Sequence, residues 1–339
     1  MIGLQITEQG RITKVNKMEM CESVDNSKVK ITKVLLTPED VFTLFGDEQV
    51  NYPIIPGHIG LGQVSDASEG AYHIKGTRVY VNPVSSCGTC VECLSDKEDE
   101  CSNFKRAGKD VDGFLRDFAV VKNNNLYALP TTVRDSDALL IDYIALAMSA
   151  IDKLDIVKGE HVAVIGGGII GTIISMLIIY YQGVPILIDS SQDKLTRARQ
   201  AGIYYNLFSD NKVEKEVSEL TGAHMTQKVV YVADSNINTD LAIKLASHNA
   251  KVGFVGFSAP SLKVNFSLAM RKQLHFVCVT NGYGFTEQAI NVIANKIVDL
   301  SLFNFETIKY EECEAFLKKL AKDNKDVPAD FMPVIVDMM

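Results

Sequence analysis

From His161 to Gly171 the chain reads HVAVIGGGIIG, an apolar run that passes through Gly166-x-Gly168-x-x-Gly171 straight into a second apolar stretch. A strand that turns at once into a helix on glycines is compatible with few folds, and this spacing is the fingerprint of a dinucleotide site. The first glycine permits the tight turn, the second lets the backbone approach a pyrophosphate, and the third allows close packing of helix on strand. The helix opens at Ile169 and Ile170, and that end offers N–H donors to an anion. The next apolar run, PILIDS, closes on Asp189, about twenty residues beyond the loop as the fingerprint requires. A carboxylate there accepts from a ribose 2′-hydroxyl and repels a 2′-phosphate, which favours NAD. Lys194 and Arg197 on the following helix keep NADP as the less favoured alternative.

The runs HVAVIGG, IIGTIISMLIIYYQG, PILIDS, SQDKLTRARQAG, KVVYVAD, TDLAIKLASHNA and KVGFVGF alternate strand and helix patterns, and LHFVCVTNG adds a further strand. Buried strands alternating with helices predict a doubly wound parallel sheet. Upstream the texture differs. KVKITKVLLT, GLGQV, GTRVYVNPV and DFAVVKNNNLYALP alternate apolar and polar residues between Gly, Pro and Asn, as an irregular β domain does. The change comes near Asp135, where DSDALLIDYIALAMSAIDKL takes up helical spacing, and MPVIVDMM near the end reads as a strand returning to the first domain. The expected fold is α/β: an irregular β-barrel-like domain over residues 1–148, completed by 286–339, and a dinucleotide-binding domain over 149–285.

With 339 residues, 47% hydrophobic and 22% charged, the chain is long and apolar enough to give both domains a core. A net charge of -8 gives no electrostatic reason to expect nucleic acid or an anionic membrane, so a small molecule is the default partner. The first residues show no basic segment followed by a long apolar run. The apolar stretch from Ile169 to Tyr181 is interrupted by Gly171, Thr172 and Ser175 and is short for a bilayer, so the cytoplasm is the expected address.

Cys87-x2-Cys90-x2-Cys93-x7-Cys101 is the strongest local signal. In a cytoplasmic chain such crowding points to metal rather than disulfides. Four thiolates close a tetrahedron around zinc and leave no position for water, which makes the site structural. Cys278, inside HFVCVT, reads as a small buried hydrophobe, and Cys21 and Cys313 have no partner pattern.

A β-rich first domain with a four-cysteine lobe, then a dinucleotide fold, then a short return, resembles the zinc-containing medium-chain alcohol and polyol dehydrogenase superfamily over nearly the whole chain. PGHIGLGQV, the four cysteines, GGGIIG, Asp189 and VGFVGF carry the resemblance. It implies a GroES-like catalytic domain, a Rossmann domain, and a small alcohol or ketone substrate oxidised or reduced with NAD. It also implies a homodimer or homotetramer, with VGFVGFSAP through VTNGYG as the interface.

In that family a catalytic zinc is held by the Cys of a Cys-Gly-Thr-Asp segment, the His of Gly-His-Glu, and either the adjacent Glu or a later acid or Cys. The match places Thr37 at the Cys, Glu39 at the proton-relaying hydroxyl and Asp40 at the Asp. His58 stands at the His, Ile59 replaces the Glu, and Asp142 in LLIDYIALA matches the later acid. Taken alone, Thr37-Pro38-Glu39-Asp40 is an ordinary helix start, with an N-cap, Pro at the first position and acids in the first turn. Set against the family, it is a ligand lost, because a Thr hydroxyl stays protonated and neutral near pH 7 where a bound Cys is a thiolate.

Three readings stay open. His58 and Asp142, with water or Glu39, hold a weaker, oxygen-rich second zinc site; His58 is itself the acid/base, oriented by Asp142; or the site is vestigial. Hydride transfer from an alcohol requires the hydroxyl proton to leave, and a Lewis acid or a base near neutral pH each meets that need. Histidine, with an ordinary pKa of about 6.5, qualifies without metal. The implied activity interconverts a secondary alcohol or polyol, phosphorylated or not, with its ketone. A zinc-independent reductase of an activated C=C or iminium and a non-catalytic dinucleotide-binding protein are the alternatives.

Overall fold

The computed structural model describes residues 1–16, 25–46, 50–69, 71–232, 237–257, 262–324, 327–328 and 331–339. Cys21, and residues 258–261 of the expected interface stretch, lie outside them. The chain divides into two compact units, Met1–Leu139 with Asn304–Met339, and Leu140–Phe303. The sequence reading put the junctions at 148/149 and 285/286. In the structure the helices Ile141–Lys153 and Thr286–Ala294 pack on one another, and both go with the second unit.

The first unit is built on a sheet ordered Glu306–Lys309, Val334–Asp337, Asn26–Leu36, Ile59–Asp66, Arg78–Val81, Leu126–Ala128, with Phe118–Lys122 also paired to Asn26–Leu36. The alternation along these strands turns Val29, Ile31, Val64, Val79 and Val81 into one core, which Cys313 and Leu317 of the helix Tyr310–Asp323 help fill. The expected return is present: Val334–Asp337 runs antiparallel to Asn26–Leu36, with Val336 opposite Val34. A hairpin of Ile2–Glu8 and Arg11–Asn16, not anticipated from sequence, completes the unit.

The second unit is a parallel sheet ordered Tyr205–Phe208, Val184–Asp189, His161–Ile165, Thr226–Val232, Ala246–Val255, His275–Val279. The doubly wound expectation is borne out, with strand order reversing between His161–Ile165 and Thr226–Val232, the kind of switch point where such sheets take their ligands. Two local expectations need correction. The helix read through TDLAIKLASHNA stops at Leu245, and Ala246 already begins a strand. The Lys272 ammonium donates to the carbonyls of Ile243, Lys244 and Ala246 at 3.0, 2.7 and 2.7 Å, taking up groups the helix leaves open at its end. Cys278 is exposed, because His275–Val279 is the outer strand of its sheet. Among the described residues no helix is long and apolar enough to cross a membrane.

Gly62 shows how tightly the first sheet is built. A Cβ there would sit 2.4 Å from Val29 Cγ1 and 2.6 Å from the Lys30 carbonyl oxygen. Gly62→Ala is expected to lower stability by about 1–3 kcal/mol, read from urea denaturation; an unchanged midpoint would show that the neighbouring strand yields freely.

Candidate active site

The helix Pro38–Phe45 starts as its residues dictate. Thr37 is the N-cap, its hydroxyl accepting from Glu39 N at 3.2 Å, and Asp40 returns the favour by accepting from Thr37 N at 2.9 Å. The Thr37 hydroxyl also donates to Asp40 Oδ2 at 3.1 Å, so it is committed on both sides. The other Asp40 oxygen accepts from Gly57 N at 2.8 Å and His58 N at 3.2 Å, and lies 3.2 Å from His58 Nδ1. Gly57 makes this possible, since its φ of +90° is left-handed and a Cβ would meet Val34 Cγ1 at 2.8 Å.

On the far side of the imidazole, Nε2 lies 3.6 Å from Glu39 Oε2, and the same oxygen lies 3.4 Å from Arg106 Nη2. Among the described residues neither Glu39 oxygen has a hydrogen-bond partner, and the carboxylate faces the His58 and Arg106 charges instead. Thr37, Asp40, His58 and Arg106 are all buried, and Glu39 nearly so. Burial disfavours the protonated form of His58, but the Asp40 and Glu39 carboxylates outweigh it. With Arg106 opposing them, the pKa still stands above its ordinary 6.5. Burial also works against the ionised form of Asp40, yet the facing imidazole and the N–H groups of Thr37 and Gly57 hold its pKa below 3.8.

The cysteine lobe lies in the same unit. The Sγ atoms of Cys87, Cys90, Cys93 and Cys101 all fall within 4.8 Å of one another. Sγ–Sγ separations of 3.9 Å (Cys87 to Cys93), 3.3 Å (Cys90 to Cys93) and 3.8 Å (Cys90 to Cys101) compare with about 3.8 Å for the edge of a ZnS4 tetrahedron. Backbone N–H groups of Cys87 and Asn103 point at Cys101 Sγ, both at 3.4 Å, as donors do around bound thiolates. The four residues fit a structural zinc. Just outside the lobe, Val84–Ser85 pairs antiparallel with Lys105–Arg106, so the lobe's closure sets where Arg106 stands.

A second zinc fares differently. Thr37 is spent as a cap, Ile59 is apolar and fully buried, and the carboxylate nearest His58 Nε2 already faces a guanidinium. Among the described residues the four cysteines are the only group of three or more His, Cys, Asp or Glu side chains gathered closely enough for a metal ion. The residues around His58 therefore do not fit a catalytic zinc.

In the second unit, Gly166 takes a φ of +106° and Gly171 packs so closely that a Cβ would meet the Gly166 carbonyl oxygen at 1.8 Å. Gly168 opens the helix Ile169–Tyr180 with open space before it and no side chain capping the helix. Asp189 is buried, accepting from Gly167 N at 2.6 Å and Ser191 N at 2.7 Å, with Lys194 Nζ at 3.9 Å. It ties the loop to the end of its strand, and each oxygen keeps a second lone pair. Asp142 is buried in the first turn of the helix Ile141–Lys153 of this unit.

Thus Thr37, Glu39 and His58 lie together within the first unit, and Asp142 belongs to the second. Arg106 was missed. Its only signal was its place at the close of the cysteine lobe, and no spacing rule reads a long-range ion pair.

A sheet unit with a four-thiolate lobe, followed in the chain by a doubly wound unit with a glycine loop at its switch point, defines the architecture of a dinucleotide-linked dehydrogenase. Residues 24–131 match the alcohol dehydrogenase GroES-like domain. An uncharacterized zinc-type alcohol dehydrogenase-like protein of Haemophilus influenzae is 25% identical over 289 residues, 84% of this chain and 83% of that protein. The sorbitol dehydrogenase of Halalkalibacterium halodurans is 28% identical over 256 residues, 74% of this chain and 75% of that one. Among solved structures, a short chain alcohol dehydrogenase of Escherichia coli CFT073 complexed with NADH has a TM-score of 0.84 at 20% identity over 99% of both chains. Residues 24–131 thus belong to the alcohol dehydrogenase GroES-like domain family, and the chain is similar over most of its length to zinc-type alcohol and polyol dehydrogenases.

The buried pair sets a pH window. His58, raised in the folded chain, contributes stability that is complete below pH 6.5 and lost as pH rises through its folded value. Asp40, depressed, contributes stability present above pH 3.8 and lost as pH falls through its folded value. Asp40→Asn should lower stability between those limits by about 3–5 kcal/mol and flatten both shoulders of the melting-temperature profile. A variant profile parallel to wild type would dismiss the pair as its source.

Proposed function

We propose that this chain is an NAD(H)-dependent oxidoreductase interconverting a secondary alcohol or polyol with its ketone, with His58 handling the hydroxyl proton. The observation that carries the reading is the buried His58, held at Nδ1 by Asp40 and turned at Nε2 towards Glu39. Gly166, Gly168, Ile169, Ile170 and Gly171 would hold the pyrophosphate and Asp189 the ribose, and NAD, when bound, supplies the hydride acceptor.

The chain's own part is the proton. With Nδ1–H donated to Asp40, neutral His58 presents Nε2 as the acceptor. As the carbinol carbon gives up hydride, the hydroxyl proton passes to Nε2, and the imidazolium formed is stabilised by Asp40 and Glu39. In the reverse direction the same nitrogen returns the proton to the ketone oxygen. Asp142 enters this reading on the family match alone, and Asp142→Asn tests its share.

The sorbitol dehydrogenase relative supports a polyol substrate. Four thiols gathered for zinc call for a reducing compartment, which supports the cytoplasm. A homodimer or homotetramer is supported by the outer strand His275–Val279, which exposes Phe276 and Cys278 beside Phe266 and Met270 of the neighbouring helix. An uncovered sheet edge with apolar side chains is suited to pairing with a second copy. Light scattering should give at least twice the 37.3 kDa chain mass, and a monomer at micromolar concentration would remove this part of the proposal.

Catalysis is tested with NADH and a panel of ketoses, and with NAD and polyols. Turnover is expected, with kcat falling about 100-fold or more in His58→Ala. Unchanged kcat in the variant would take His58 out of the chemistry.

A further inference from the structure

The geometry points to Arg106 as a built-in replacement for the family's catalytic metal ion: its guanidinium fixes Glu39 against His58 Nε2, and no second metal binds there. This rests on the oxidoreductase reading above and concerns how the same site obtains its positive charge.

Three features of the first unit converge on it. The positions matching metal ligands have been turned to other uses, Thr37 to a cap bonded to Asp40 and Ile59 to the core. The imidazole nitrogen left after Asp40 takes Nδ1 faces Glu39 at 3.6 Å, and Glu39 faces Arg106 at 3.4 Å, so the site already holds its cation. A guanidinium keeps its charge at every working pH, and a dication brought to the same carboxylate would meet that charge in a buried setting.

Arg106 is also placed with care. It is 8% exposed, opposite Val84 in the pairing that closes the cysteine lobe. Its own N–H donates to Asp110 Oδ2 at 2.8 Å, and its carbonyl accepts from Asp110 N at 2.9 Å. The next turn presses Gly108, at a φ of +81°, across the Gly57 and His58 amides, where a Cβ would stand 3.4 Å from both nitrogens. The lobe that suits a structural zinc thereby positions the residue that stands in for the other one. Arg106 acts through Glu39, which makes it a positioning residue.

The test uses the full-length purified chain. Elemental analysis after incubation with excess Co2+ should find one metal ion per wild-type chain, and a second ion that His58→Gln displaces would overturn the proposal. NMR titration of the His58 imidazole should move to higher pH in Arg106→Met, stay near wild type in Arg106→Lys, and move to lower pH in Glu39→Gln. An unmoved His58 titration in Arg106→Met overturns the role given to Arg106, and should that variant fail to fold, an unmoved titration in Glu39→Gln does so. Neither readout needs a substrate. A chain with these metal and titration results but no turnover would sink the proposed reaction and leave the charge assignment standing.

Discussion

One buried carboxylate holds the first unit's functional region together. Asp40 receives the N–H and hydroxyl of Thr37, the N–H groups of Gly57 and His58, and the Nδ1 face of the His58 ring. It fastens the start of the helix that follows Asn26–Leu36 to the segment that leads into the paired strand Ile59–Asp66. Without it, three buried backbone amides and an imidazole would lose their acceptor together, a cost far above that of an ordinary helix cap. The cap of this helix and the hold on the His58 ring are made by one carboxylate.

The charges around His58 form a balanced set. With the ring protonated, Asp40 and Glu39 are matched by His58 and Arg106; with the ring neutral, one negative charge is left over in a buried place. Burying net charge is costly, so the cluster favours the protonated ring, which is the direction in which its pKa moves. A metal ion would supply two charges where this arrangement has room for one.

Much of the architecture was legible because it rests on local pattern. The glycine loop, five of the six parallel strands and the returning Val334–Asp337 each announce themselves by period or by residue type, whereas the short strand Tyr205–Phe208 does not. The four cysteines were readable for the same reason. What escaped reading depends on partners distant in the chain: the pairing of Glu39 with Arg106, the shortened helix ending under Lys272, and the exposure of Cys278 on the strand that ends its sheet among the described residues. Asp189 lies between these cases, since its position was evident but its bonds to Gly167 and Ser191 were not.

The strand Val334–Asp337 sits inside the first unit's sheet, between Glu306–Lys309 and Asn26–Leu36, although the whole of the second unit separates it in sequence from the latter. During synthesis the doubly wound unit therefore has all its strands before the first unit has its own. The sheet that frames His58 must wait, its Lys33–Leu36 edge open, until Val334–Asp337 has been made. Domains fold as units once their strands are available, so this chain completes its doubly wound fold before the sheet around His58 and Asp40 is complete.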